Sequence, residues 1–232
     1  MIDSTTIGER LEHVRYRIVR AGGELEKIKI IAVTKGFGPE VVTASQRLGL
    51  SQMGESYAQE LLEKARIAEG SPEWHFIGRL QSNKVKLVAP IVSLWQSVDR
   101  MSLISELSRR APGANILIEV NTSQEQSKGG CLPVEVPALV ENAREAGLNV
   151  AGLMTIAARG PEQKVRSCFS LLAELADDED LVERSMGMSG DYEIAVQEGA
   201  TMLRLGQALY GQRFDPRNQP EEVRHWKSTK EI

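Results

Sequence analysis

Short runs typical of β-strands alternate with longer amphipathic segments from about residue 28 to residue 211, and no linker separates them. The amphipathic segments have helical spacing. The predicted strands are residues 28–33, 52–53, 74–77, 93–98, 115–120, 150–154, 183–186 and 201–205. The predicted helices between them include residues 39–48, 57–68, 101–110, 133–146 and 161–175. This order predicts an α/β fold with a parallel sheet.

Eight strand–helix units close most economically into a single (β/α)8 TIM barrel, whose typical length is about 250 residues. An open doubly wound sheet is the alternative. Residues 7–20 carry a helical apolar stripe and predict an additional N-terminal helix on the outside or the bottom of the barrel. We expect residues 1–213 to form the barrel domain and residues 214–232, which lack periodicity, to form a polar C-terminal tail.

Charge and composition narrow the classes of function. The 232 residues include 28 Lys and Arg against 32 Asp and Glu, a net charge of −4, with no cluster of five basic residues. Nucleic acid is therefore not expected as a partner. The N-terminus lacks the basic start of a signal peptide and no apolar run is long enough for a bilayer, so we expect no membrane association and a cytoplasmic location. The predicted barrel has no additional element that would form a subunit interface, so we expect a monomer.

Metal chemistry and disulfides are not expected. The chain has two cysteines, Cys131 and Cys168, without metal-ligand spacing, and we expect both to be reduced. No two of the three histidines share the i, i+4 spacing of a zinc site on one helix. His225 lies in the predicted tail with Trp226, and His75 lies on a predicted strand, where a buried core histidine is the expected reading.

Two short motifs resemble known sites but lack part of the pattern. Residues 35–41 carry two glycines of a dinucleotide fingerprint, with Val41 in place of the third, which an ordinary strand-to-helix turn explains better. Residues 187–190 lack one residue of the spacing of a serine nucleophile elbow. An NAD-dependent enzyme and a serine hydrolase are therefore the functions that the sequence supports least.

Lys35 stands at the carboxyl end of the first predicted strand, the end at which TIM barrels carry their active sites. Partial desolvation there favours the neutral amine, which can attack an aldehyde and form a Schiff base. The alternative is a lysine that extends its ammonium group to solvent. Position alone leaves both readings open.

Two loops follow the seventh and eighth predicted strands, at residues 185–191 and 204–207. Small residues with free amides before a helix can bind an anion, and barrels often hold phosphate in these two loops. Ser189 adds a hydroxyl donor, although Ser189 or Asp191 could equally cap a helix. A reactive lysine facing a phosphate cradle predicts a site for pyridoxal 5′-phosphate (PLP), and Met154 could pack on its ring or simply fill the barrel.

Residues 7–213 resemble the pyridoxal phosphate homeostasis protein family, also called the YggS/PROSC family, whose fold is like the barrel domain of alanine racemase. The motifs that carry the resemblance are AVTK (32–35), MGESY (53–57), WHFIGRLQSNK (74–84), SKGG (127–130), GLMTI (152–156), SMGMS (185–189) and RLGQALYG (204–211). Their number and their order make the resemblance specific. It implies a PLP-binding protein with a role in vitamin B6 and amino-acid homeostasis.

The resemblance also implies roles for individual residues. Lys35 would hold PLP covalently as a Schiff base. The phosphate would be bound by Ser189 and by the backbone amides of Met188, Gly206 and Gln207. Arg204 would approach the pyridine nitrogen and keep it unprotonated, so that the ring is a poor electron sink. Ser56 stands where the family usually has Asn, and its shorter side chain cannot offer the same amide. Gln207 stands where Thr is common, and its backbone amide survives the change.

A PLP carrier without robust catalytic activity is the function that we expect, with PLP-dependent apo-enzymes as candidate recipients. The enzyme alternative is a PLP-dependent amino-acid racemase with Lys35 as one of its two acid/base groups. A racemase needs a second group on the opposite face of the ring, and relatives of the alanine racemase family take it from another domain and from the partner subunit. The predicted barrel and its short tail account for the length of this sequence, so we expect no such domain.

Overall fold

The computed structural model describes residues 4–212, which form a closed barrel of eight parallel strands. The strands are β1 (Lys29–Val33), β2 (Gln52–Glu55), β3 (Glu73–Phe76), β4 (Val92–Val98), β5 (Asn115–Glu119), β6 (Asn149–Met154), β7 (Glu183–Ser185) and β8 (Met202–Leu205). Each strand pairs with the next, and β1 pairs with β8, so the sheet has no free edge. The predicted TIM barrel is confirmed, and the open doubly wound sheet is wrong.

Helices follow the strands in chain order and cover the outside of the barrel. They are α1 (Ser4–Arg20), α2 (Glu40–Arg47), α3 (Ala58–Ile67), α4 (Val85–Val88), α5 (Met101–Arg110), α6 (Val136–Glu145), α7 (Glu162–Asp178), α8 (Tyr192–Gln197) and α9 (Gln207–Tyr210). Single 3-10 turns, Ser82–Lys84 and Pro133–Glu135, precede α4 and α6. The predicted helices agree with these bounds to within a few residues.

The additional N-terminal helix is confirmed as α1, and it packs on the outside of the barrel against α2, α8 and α9. Its buried residues recur at helical spacing, which gives one apolar face: Ile7, Leu11, Val14 and Ile18. The polar tail predicted for residues 214–232, including His225 and Trp226, lies outside the described residues. The division between barrel and tail therefore stays a prediction.

Two apolar regions hold the barrel together. The larger lies between the strands and the helices, where outward-facing strand residues such as Met53, Phe76 and Ile118 pack on the helices. The smaller fills the inside of the barrel and comprises Ile31, Leu94, Leu117, Met154 and Met202. Side chains of a strand alternate between the two regions, as the period of a strand requires. Met154 therefore fills the barrel, one of the two readings given for it.

Candidate functional site

The carboxyl ends of the eight strands form the mouth of the barrel, and Lys35 lies there, two residues beyond the end of β1. Its side chain is half-buried. Gly36 follows with φ of 73°, a left-handed conformation that glycine adopts without strain. A tight turn after β1 therefore holds Lys35 at the mouth of the barrel.

Polar groups from α3 and β2, buried on the Thr34 side and partly exposed on the Gly36 side, hold the residues on either side of Lys35. The Thr34 hydroxyl donates to Glu55 Oε1 at 2.6 Å, and Lys64 Nζ lies 2.5 Å from the same oxygen. Burial raises the pKa of Glu55, although hydrogen bonds from Lys64 and Thr34 act in the opposite direction. On the other side of Lys35, the Gly36 amide donates to Glu60 Oε2 at 2.8 Å.

The loops after β7 and β8 meet at the mouth beside β1. The Ala208 amide donates to the Ser189 hydroxyl at 2.9 Å, which joins the two loops. Gly206 lies so close to β1 that a Cβ there would sit 3.1 Å from the Val33 carbonyl oxygen. Gln207 begins α9 directly after this glycine. Ser189, Gly206 and Gln207 are therefore brought together next to the strand that leads to Lys35.

Met188 differs from the other predicted phosphate ligands because its amide already has a partner. It donates to Asp191 Oδ1 at 2.5 Å. Burial raises the pKa of Asp191, although this hydrogen bond acts in the opposite direction. Gly187, with φ of 87°, makes the turn that leads into this part of the loop. The Met188 amide would have to leave Asp191 before it could bind an anion.

Arg204 lies on β8 with its side chain inside the barrel, where it is 4% exposed. Its Nη1 donates to the Ser185 hydroxyl and its Nη2 to the Thr155 carbonyl oxygen, both at 2.7 Å. Burial lowers the pKa of Arg204 to about 10, although Glu119 and Asp191 oppose the shift. The guanidinium group therefore keeps its proton at neutral pH and is fixed in orientation by two hydrogen bonds.

The hydrogen bonds of Arg204 continue across the interior of the barrel to β3. Ser185 donates to Gln96 Oε1 at 2.7 Å, and Gln96 Nε2 lies 2.8 Å from His75 Nδ1. Burial, with a smaller effect of Lys29, lowers the pKa of His75 to about 4, so the imidazole is neutral and accepts from Gln96. His75 is thus a buried histidine with its ring nitrogen satisfied, as predicted.

Glu119 is a residue of the mouth that was not singled out from the sequence. It ends β5 on the same face of the strand as Leu117, which lies inside the barrel. Burial raises its pKa to about 7; Asp99 adds to the shift, and Arg204 is first among the cations that oppose it. The alternation of inward-facing and outward-facing side chains along residues 115–120 could have indicated Glu119. It places this carboxyl group on the inner face, at the carboxyl end of the strand.

The described residues also bear on the cysteines, on metal binding and on membrane-spanning helices. Both cysteines are buried and free, and burial raises the pKa of Cys131 to about 12. Across residues 4–212, no three His, Cys, Asp or Glu side chains are grouped as a metal site requires. None of the helices in that range is long and apolar enough to cross a bilayer.

Comparison with known proteins gives one consistent family. The family model for the N-terminal domain of alanine racemase matches residues 9–214. The pyridoxal phosphate homeostasis protein of Aquifex aeolicus is 41% identical over 217 residues, which cover 88% of this chain and 95% of that protein. Relatives of the same name from Pseudomonas aeruginosa and Homo sapiens are 38% and 36% identical.

Solved structures of the same fold agree with this result. An unknown protein from Bifidobacterium adolescentis is 32% identical with a TM-score of 0.82, and the match covers 89% of this chain and 95% of that one. PipY of Synechococcus elongatus, solved with PLP bound, is 27% identical with a TM-score of 0.75 over 88% of this chain and all of PipY. The chain therefore belongs to the family of the alanine racemase N-terminal domain and, within it, to the pyridoxal phosphate homeostasis proteins.

Proposed function

We propose that this protein binds PLP as a Schiff base on Lys35 and serves PLP and amino-acid homeostasis. The observation that carries the proposal is the pairing of β1 with β8, in which Ile31 lies opposite Arg204 and Ala32 opposite Leu205. This pairing sets the turn that bears Lys35 beside the loop that bears Gly206. PLP carries its aldehyde and its phosphate group on one small ring. Such a molecule fits a site in which an amine and an anion-binding loop are neighbours.

The residues present fit the cofactor chemically. Ser189, Gly206 and Gln207 offer a hydroxyl group and backbone amides for a phosphate, and the close approach of Gly206 to Val33 makes a side chain at that point a tight fit. Met188 can add its amide once it leaves Asp191. PLP supplies an aldehyde, whose carbon bonds the Lys35 nitrogen while its oxygen leaves as water with two hydrogens from the amine. PipY, a relative of the same fold, was solved with PLP bound.

Arg204 supports a carrier over an enzyme. A guanidinium group that keeps its proton at neutral pH leaves a neighbouring pyridine nitrogen without one. An unprotonated ring withdraws electrons weakly and stabilises a carbanion poorly. Relatives that match along most of their length bear the name of homeostasis proteins, and a racemase is therefore not the function that we favour.

The test of the proposed function is to reduce the PLP-loaded protein with borohydride and map the labelled peptide by mass spectrometry. We expect the pyridoxyl group on Lys35 and its loss in Lys35→Ala, which should retain the circular dichroism of the folded barrel. Lys86→Ala, at an exposed lysine of α4, is the matched control and should keep the label. Label on another lysine of the wild-type protein, or on none, would defeat the proposal.

A second measurement separates carrier from racemase. The loaded protein is incubated with L-alanine in deuterated water, and the product is analysed for D-alanine and for deuterium at Cα. We expect neither to accumulate. Turnover on the order of 1 s⁻¹ or faster is ordinary for an enzyme and would contradict the carrier.

The remaining parts of the proposal concern partners and location. We propose a cytoplasmic monomer that delivers PLP to apo-enzymes that depend on it. Sedimentation of the loaded protein tests the monomer. Reactivation of a PLP-dependent apo-enzyme, faster with the loaded protein than with the same concentration of free PLP, tests delivery.

A further inference from the structure

Lys64, on α3, has one of the most deeply buried charged side chains that the structure describes. Its side chain is 3% exposed, and it lies one helical turn from the buried Leu61 on the inner face of α3. A lysine taken out of water is costly unless each of its donors is satisfied and its charge is paired. A residue of this kind calls for a specific role.

All three donors of the Lys64 ammonium group have acceptors. Nζ lies 2.5 Å from Glu55 Oε1, 2.7 Å from the Thr34 carbonyl oxygen and 3.1 Å from Glu60 Oε2. Glu55 is fully buried, and Glu60 keeps part of its side chain in solvent. An ammonium group has three donors, so the group is saturated within the layer between the barrel and α3.

Each of these acceptors also holds the chain next to Lys35. The Thr34 carbonyl oxygen belongs to the residue before Lys35, and Glu55 accepts from the hydroxyl group of the same threonine at 2.6 Å. Glu60 accepts from the amide of Gly36, the residue after Lys35, at 2.8 Å. Lys64 is thus the centre of a network that fixes the backbone on both sides of Lys35 from beneath.

We propose that Lys64, acting with Glu55 and Glu60, is a positioning residue that holds the Lys35 turn in the conformation that presents the Lys35 amine to an aldehyde in the mouth of the barrel. This inference rests on the proposed function of Lys35. A reacting amine gains rate when its backbone is held in a single arrangement, because less freedom is lost on reaching the reactive geometry. The cost of taking two charges out of water offsets much of their attraction, so stability alone is a weak reason for a buried ion pair such as that of Lys64 and Glu55.

The test separates covalent attachment from binding. Lys64→Met keeps the length of the side chain and removes its donors, but it leaves the Glu55 charge buried and unpaired. The double variant Glu55→Gln with Lys64→Met removes both charges, and its amide oxygen can still accept from Thr34, so we expect it to remain folded. Pyridoxine 5′-phosphate, which has no aldehyde, reports binding alone, and the rise of visible absorbance on adding saturating PLP reports Schiff-base formation.

We expect the double variant to form the Schiff base about tenfold more slowly than the wild type, since the Lys35 turn is no longer fixed. Its affinity for pyridoxine 5′-phosphate should stay within about twofold, because the phosphate loops are untouched. The matched control Lys86→Met, at an exposed lysine, should change neither measurement. Lys64→Arg, which keeps the charge and the donors, should recover part of the rate.

Three outcomes decide the matter. If the double variant forms the Schiff base at the wild-type rate, Lys64 does not position Lys35 and the inference is overturned. If affinity for pyridoxine 5′-phosphate falls in parallel with the rate, the network supports the fold in general, which also overturns it. If the wild-type protein forms no Schiff base on Lys35 at all, the proposed function itself fails, and that result is distinct from the other two.

Discussion

The two sides of the barrel mouth are built from different interactions. On the β1 side, charged groups buried beneath the turn hold Lys35, with Lys64 and Glu55 at the centre. On the β7–β8 side, Arg204 donates from β8 to Ser185 at the end of β7. Apart from Asp191, the contacts of the two loops beyond these strands are neutral, with a serine hydroxyl accepting from a backbone amide and a glycine lying against Val33. The side that we propose for chemistry is fixed by charge, and the side that we propose for phosphate is fixed by backbone conformation.

This difference has a physical reason. A phosphate binds wherever several amides point at it, and the conformation of two short loops suffices for that. A nucleophilic amine has to meet one carbon atom from one direction, so small changes in its backbone lower the rate steeply. Variants on the two sides should therefore have separable effects, the first on the rate of attachment and the second on the affinity for phosphate.

The largest effect expected on the phosphate side is that of Gly187→Ala. Gly187 has φ of 87°, and a Cβ there would sit 2.6 Å from the Ala195 Cβ. The left-handed conformation and the overlap together should lower the free energy of unfolding by about 3 kcal/mol. Urea denaturation measures this change, and titration with pyridoxine 5′-phosphate should show a parallel loss of affinity.

Gly190→Ala is the control for Gly187→Ala, because it lies in the same loop and a Cβ added there would meet no atom within 4 Å. We expect it to be close to the wild type in both measurements. Equal losses in the two variants would show that the loop tolerates no side chain anywhere, and the argument from the conformation of Gly187 would then fail.

A smaller effect is expected for Glu119→Gln, on β5, across the barrel from β1. Burial raises the pKa of Glu119 from 4.5 to about 7, so the folded protein holds this proton more tightly than the unfolded chain. The contribution of Glu119 to stability therefore falls as pH rises from about 4.5 to 7. The variant lacks this titration. Its free energy of unfolding should therefore be higher than that of the wild type at pH 8, by on the order of 2 kcal/mol, and nearly equal to it at pH 4.5.

Chemical denaturation at a series of pH values measures the Glu119 effect. Glu141→Gln, at an exposed position of α6, removes the same charge from the surface and should follow the wild type at every pH. If Glu119→Gln followed the wild type as well, the carboxyl group would be ionised in the folded protein with no penalty. Arg204 would then neutralise it fully, and the interior would be less sensitive to charge than the burial of Glu119 indicates.

The fold was predictable because short strand-like runs alternate with segments of helical spacing along the chain, and eight such pairs leave few arrangements. Lys35, Ser189, Arg204 and Gly206 were predictable as neighbours for a related reason, since the carboxyl ends of parallel strands meet at one end of a barrel. Their roles toward a cofactor came from the family resemblance and remain proposals.

The buried charges were harder to predict. From the sequence, Lys64 could equally be a helix lysine that extends to solvent. Its burial depends on hydrogen-bond acceptors as distant in the chain as the Thr34 carbonyl oxygen. No local pattern joins residues 30 apart. Glu119 could have been found, because the alternation along β5 puts it on the face of Leu117, but its neighbours Arg204 and Asp99 come from other parts of the chain. Side-chain contacts between elements, rather than the elements and their order in the barrel, could not be predicted from the sequence.

The smallest effect is expected for Ser189→Ala, which sharpens the comparison at a single hydroxyl group. The variant loses the bond from the Ala208 amide and one donor toward phosphate, which together correspond to about 1 kcal/mol in stability and about a tenfold loss of affinity for pyridoxine 5′-phosphate. At saturating PLP the rate of Schiff-base formation should match the wild type, because the Lys35 turn is untouched. Ser167→Ala, at an exposed serine of α7, is the matched control and should change nothing. A rate that fell at saturation would mean that Ser189 also orients the aldehyde toward Lys35, and the two sides of the mouth would then act as one unit.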